Sequence, residues 1–155
     1  FALALVQNSE IYFQKDSNKI SEATKVEKAL TEIVRRELKS WNPKRWLRSY
    51  YDFGLLYYAK NHKRLLPSGA GLDSLFIDAD GSIFPSNLIN MKMGNIADDN
   101  LDKIWQSKKA NEVRSDIVRK QIEESWIICT IRGEIKKHAH KVIYWVLKNK
   151  IKNFV

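Results

Sequence analysis

The chain opens on an apolar run, FALALVQ at residues 1–7, too short for a helix by itself and suited to a buried strand. Residues 10–14 (EIYFQ) extend that strand or line a pocket rim, and 15–19 read as a polar loop. From Ser21 the period changes. Val26, Leu30, Ile33, Val34 and Leu38 recur three and four residues apart, with Lys25, Lys28, Glu32, Arg35 and Arg36 between them. That pattern predicts a surface amphipathic helix, with Ser21 as N-cap and an end near Trp41, where Asn42-Pro43 disfavours continuation. Pro43 is well placed to start a second helix capped by Asn42. Trp46, Leu47, Tyr50, Phe53, Leu55, Leu56, Tyr57 and Tyr58 make that helix aromatic and largely buried, and a basic run at 60–64 closes it before Pro67.

The middle of the chain alternates at shorter range. Leu75, Phe76 and Ile77 form an apolar run, Asp80-Gly81 is a turn dipeptide, and Ile83-Phe84 resume the apolar pattern, which predicts a β-hairpin. Gly94-Asn95 punctuates again. Residues 100–107 and 108–120 then read as helices, with Leu101, Ile104 and Trp105 on one apolar face and Val113, Ile117 and Val118 on the other. Ile131, Ile135, Ala139, Val142, Ile143, Val146, Leu147 and Ile151 trace one helical stripe, so 131–151 is expected as a single terminal amphipathic helix. The expected class is α+β, mostly helical, with a short N-terminal strand and a central hairpin.

The phrase around the hairpin, "LFIDADGSIFP" followed by "GNI" and "LDKIWQS", resembles the SPASM region of radical SAM enzymes. There a cysteine precedes a glycine, and a second cysteine follows it after four residues. Here Ser68 is followed by twelve residues, Gly81, four residues and Ser86, so the spacing persists and both cysteines are serines. Ser125-Trp126-Ile127-Ile128-Cys129-Thr130 is similarly a copy of the family's Cys-Trp-x-x-Cys-Thr segment with serine first. A further family cysteine would fall near Gln121 or Ile122, and neither is a thiol. The resemblance implies a remnant of a partial β/α barrel over 1–66 (a strand and two helices), then a SPASM-like auxiliary region over 67–155. In intact relatives it implies iron–sulfur clusters, S-adenosylmethionine, and a peptide or protein substrate that the auxiliary region helps to position.

Cysteine arithmetic decides how much of that chemistry transfers. Cys129 is the single cysteine and the one remaining candidate cluster ligand, beside Ser68, Ser86 and Ser125 at family cysteine positions. A cluster needs soft thiolates, normally four per cubane, and a neutral serine hydroxyl is a poor replacement. No cofactor is therefore expected in this chain, nor a catalytic residue, since the Cys-x-x-x-Cys-x-x-Cys loop of the radical SAM core appears nowhere in it. Serines at three positions fit deliberate substitution, whereas the mixed replacement near Gln121 fits natural decay. A start at Phe1, not Met, reads as a fragment or a trimmed chain.

The net charge of +9 would suit nucleic acid or an anionic membrane, and Lys136, Lys137, Lys141, Lys148, Lys150 and Lys152 concentrate it in the tail. A basic binding module is thus the alternative function. It ranks behind the SPASM reading, because the apolar stripe of the same helix already needs a core. One cysteine permits no internal disulfide, and no apolar run approaches a membrane span, so a cytoplasmic location is expected. An edge strand at residues 1–6 would pair with another chain, which makes a homodimer an expectation.

Other chemistry fares worse. Asp78 and Asp80 as calcium ligands would put Phe76 and Asn87 at obligatory oxygen positions. Cys129, His138 and His140 lack a fourth zinc ligand, and His138 and His140 are two residues apart, on different helix faces. No nucleophile–histidine arrangement supports a hydrolase, and the aromatic cluster of the second helix is more often core than a base-stacking platform.

Overall fold

The computed structural model describes residues 3–12, 14, 17, 22–119, 122 and 126–152. The described elements run α1 (Ala23–Lys39), α2 (Pro43–Asn61), β1 (Phe76–Ile77), β2 (Ser82–Phe84), β3 (Gly94–Asn95), α3 (Leu101–Gln106), α4 (Lys108–Arg119), α5 (Ile128–Lys137) and α6 (Ala139–Ile151). Helices dominate and the sheet is small, which is the α+β class expected. The chain divides into two compact units: Phe1–Val6, Lys19–Pro67 and Ser125–Val155 make the first, and Gln7–Asn18 with Ser68–Glu124 the second. Among the described residues no helix is long and apolar enough to cross a membrane.

In the first unit α1 buries Leu30, Val34 and Leu38 and exposes Arg35, Arg36 and Lys39. It stops at Lys39, two residues short of the predicted end, and its predicted cap Ser21 lies outside the described residues. Asn42 then caps α2 as its sequence position demands: the Lys44 N–H donates to its side-chain oxygen at 3.0 Å, and Pro43 takes the first helical position. Tyr50, Tyr51, Leu55 and Leu56 of α2 join Ile131, Ile135, Val142 and Val146 in one core around Trp126. Gly54 is what admits that indole. A Cβ there would collide with the six-membered ring, and Trp126 Nε1 donates to the Tyr51 carbonyl at 2.9 Å.

Two sequence expectations fail in this unit. Residues 3–7 form no strand; they run without regular structure, with Leu3 and Leu5 packed on the core, while Phe1 and Ala2 lie outside the described residues. The edge that motivated a homodimer is therefore not formed by 3–7. The terminal helix is also two helices, broken at His138 (φ −104°, ψ 30°), where the backbone N–H still reaches the Glu134 carbonyl at 2.9 Å and the ring nitrogen Nδ1 stands 3.0 Å from the same oxygen. The side chain competes for the carbonyl of the last turn, a local interaction that apolar periodicity does not register. The stripe splits accordingly: Val142 and Val146 are buried, whereas Ile143, Leu147 and Ile151 are exposed.

The second unit is built on the hairpin. β1 and β2 pair antiparallel with Phe76 opposite Phe84 and Ile77 opposite Ile83, and Gly94 and Asn95 add a third strand beyond β2. The turn is a three-residue loop closed by Asp78 N–H to the Ser82 carbonyl at 2.9 Å, with Gly81 at φ 82°, where glycine has no Cβ penalty. Asp80 braces it by accepting from Ser82 N–H and Oγ at 2.9 and 2.8 Å. Ile83, Ile89, Met93, Ile104, Val113 and Ile117 form this unit's own core. Asn100 caps α3 and Ser107 Oγ accepts from Ala110 N–H at the start of α4, so both predicted helices stand.

Candidate functional site

Two places hold the residues that carry chemistry, one in each unit. In the second unit the loop after Pro67 turns back along the exit of β2. Gly71, at φ 71°, donates its N–H to the carbonyls of Ser74 and Pro85 at 2.8 and 3.1 Å. The segments bearing Ser68 and Ser86 are thereby tied to each other. Each serine then caps its own turn: Ser68 Oγ accepts from Ala70 N–H at 3.0 Å, and buried Ser86 Oγ from Leu88 N–H at 3.2 Å. Arg114 of α4 locks the loop from the far side. Its Nε donates to the Gly71 carbonyl at 2.6 Å, and its guanidinium lies 4.3 Å over the Trp105 ring. A fixed, charged cross-brace thus stands beside the first two family positions.

Trp126 and Cys129 belong to the first unit. Trp126 is 1% exposed and works as core, whereas Cys129, on the first turn of α5, turns its thiol to solvent. Ser125 and Gln121 lie outside the described residues, and Ile122 is half-buried against the second core. The donors at the placed family positions are thus two hydroxyls in one unit and one thiol in the other. Such a set does not fit a four-iron cluster, which wants four thiolates. Among the described residues no group of three or more His, Cys, Asp or Glu side chains could hold a metal ion. His138 and His140 have ring centroids 6.3 Å apart, and His138 is committed to Glu134.

The first unit also holds a feature that the sequence pattern does not announce, a cleft of about 410 Å³. Ile33, Leu47 and Ile135 give it apolar walls, and Glu37, Arg48, Asp52 and Arg132 give it charge. Glu37 is satisfied: Arg45 Nε donates to it at 2.8 Å, and this bond holds its carboxyl below the usual value despite burial. Asp52 is not. It is 2% exposed, its Oδ2 is buried with no hydrogen-bond partner, and burial, reinforced by the charge of Glu37, pushes its pKa up to about 6. Burial and the neighbouring Asp52 push Tyr51 up to about 12, and its hydroxyl donates to the Leu3 carbonyl at 2.9 Å. A signal for Asp52 was present in the sequence: it is the one acid inside α2, three residues from both Ser49 and Leu55 on a helix read as largely buried.

Comparison with known families agrees with the hairpin motif. Residues 69–130 match the family model described as the SPASM iron–sulfur cluster-binding domain. The match spans the whole sheet, α3 and α4, and ends just past Cys129, so this segment is a SPASM-type region. No curated protein and no solved structure matches the chain.

Proposed function

We propose that this chain is the auxiliary region of a radical SAM-type protein that keeps the SPASM scaffold, works without its iron–sulfur cluster, and serves to hold or present a substrate of the peptide class. The observation that carries the reading is the pairing of an intact scaffold with a substituted donor set. The hairpin, the Gly71–Pro85 tie and the Trp126 core are all in place, while Ser68 and Ser86 spend their oxygens on backbone N–H groups. A hydroxyl that caps a turn organises the loop at no cost in metal, so the fold does not depend on a cluster to stay assembled. This chain supplies no step of S-adenosylmethionine cleavage, because it has one cysteine in all. The test is iron and acid-labile sulfide per chain after anaerobic reconstitution. Iron near zero is expected; stoichiometric iron with a cluster absorption band would overturn the cluster-free reading.

A specific observation favours the second reading, a basic surface for anionic membrane. Ile143, Leu147 and Ile151 form an exposed apolar row on α6, with Lys141 and Lys148 exposed on the same helix and Lys152 just past its end. Lys150 does not belong to that surface, since its ammonium donates to the carbonyls of Leu38 and Ser40 at 2.7 and 2.9 Å. Co-sedimentation with phosphatidylserine vesicles at low salt decides it. Binding that weakens in a Lys141→Ala/Lys148→Ala/Lys152→Ala variant supports this reading, and none at low salt ends it.

A further inference from the structure

The geometry points to the cleft of the first unit as a binding site for a free apolar α-amino acid, its ammonium on Asp52 and its carboxylate on Arg48. This inference stands apart from the SPASM reading, which concerns the other unit. It starts from the buried carboxylate. Asp52 is 2% exposed and its Oδ2 meets no donor, a costly arrangement unless something else supplies the hydrogen bond. Asp52 is among the side chains that line a space of about 410 Å³, a volume within the range of small-ligand sites. Burial has already raised its proton affinity, as expected of a carboxylate waiting for a cationic donor rather than one held in water.

The surroundings narrow the ligand. An ammonium brings three donors and a positive charge, which a lone buried carboxylate needs. A simple amine would nonetheless meet Arg48, Arg132 and Lys136 around the same space, so the ligand must also carry a negative group. Among the described residues none of these three cations is in an ion pair. Arg48 and Asp52 are four residues apart on α2 and so present opposite charges on adjacent positions of one helix face. Neighbouring ammonium and carboxylate on a single carbon match that spacing. The remaining wall, Ile33, Leu47 and Ile135, takes an aliphatic side chain.

The experiment is an amide NMR titration of the full chain with L-leucine, beside two halves of it: isoamylamine, which lacks the carboxylate, and 4-methylpentanoate, which lacks the ammonium. Saturable shifts on α2 and α5 amides are expected with L-leucine, with each half weaker by about tenfold or more. Asp52→Asn and Arg48→Gln should each weaken L-leucine by about tenfold or more. Should Asp52→Asn fail to fold, Leu47→Trp decides instead: Leu47 is half exposed, so the indole can fill the cleft without entering the core, and binding should be lost. The inference is overturned by an absence of saturable shifts up to about 10 mM. It is equally overturned if either half binds as tightly as L-leucine, or if binding persists unchanged in these variants.

Discussion

At the scale of single residues, the two acids of the cleft have opposite relations to pH. Asp52 binds its proton more tightly folded than unfolded, since burial raises its pKa to about 6 from an ordinary 3.8. The native state therefore holds more protons than the unfolded state between those values, and stability falls as pH rises through that window. At pH 7 the charged form costs on the order of 2 kcal/mol, allowing for water that reaches the cleft. Asp52→Asn should accordingly stabilise the chain by about that much at pH 7 and by almost nothing near pH 3.5. Glu37 runs the other way: Arg45 lowers its pKa below the ordinary 4.5, so its contribution is present above that value and is lost as pH falls through the lowered one. Glu37→Gln should destabilise at pH 7, with the difference fading in acid. Urea unfolding of both variants at pH 7 and pH 3.5 checks the pair, and equal effects at the two pH values would contradict both assignments. Gly54 is a residue-scale device of another kind. Gly54→Ala places a methyl group against an indole fixed by its bond to Tyr51, and should cost about 1–3 kcal/mol through overpacking, measurable by thermal unfolding.

At the scale of elements, what was legible followed from whether the deciding interaction was local. The Asn42-Pro43 junction was readable because the cap and the proline act within three residues of each other. So was the hairpin, where Gly81 must take positive φ. β3 was not, because Gly94 and Asn95 are strand only by pairing with Ser82 and Ile83, and Gly94 is there since a Cβ would press within 2.6 Å of the Ile104 side chain. Residues 3–7 erred in the opposite direction: an apolar run that would suit a strand packs as irregular chain, with Tyr51 taking the Leu3 carbonyl. The helical spacing of apolar residues in the tail is real, yet it could not say that half the stripe would face solvent beyond the bend at His138. Lys150 shows the same limit from the polar side. It reads as one more basic residue, but its ammonium joins the end of α1 to α6 and lies 4.5 and 5.0 Å over Trp41 and Trp46. Lys150→Met should therefore lower stability by about 1–2 kcal/mol, while Lys148→Met, whose lysine is exposed, should change it by less than about 0.5 kcal/mol. Equal effects in denaturation curves would return Lys150 to the solvated face.

At the scale of the whole molecule, the question is whether a chain whose residues 69–130 match an iron–sulfur domain family can hold a cluster. Of the family positions read from the sequence, Ser68 and Ser86 lie in the second unit and Cys129 in the first. Restoring sulfur is the direct probe, because serine and cysteine differ by one atom and the backbone N–H groups that now serve Ser68 and Ser86 could serve thiolates in the same turns. Ser68→Cys/Ser86→Cys/Ser125→Cys, with Cys129, returns thiols to the four family positions read from the sequence. If the serines simply replaced ligands on an unchanged scaffold, the triple variant should take up iron and sulfide well above the level of the unsubstituted chain after the same anaerobic reconstitution. Arg114 sets the condition on that outcome. Its side chain is anchored on the Gly71 carbonyl beside the same loop, so an Arg114→Ala change added to the triple variant should leave uptake unchanged or raise it. Iron that stays at background in both variants would mean that sulfur at these positions does not suffice for a cluster in this fold, with or without the Arg114 brace.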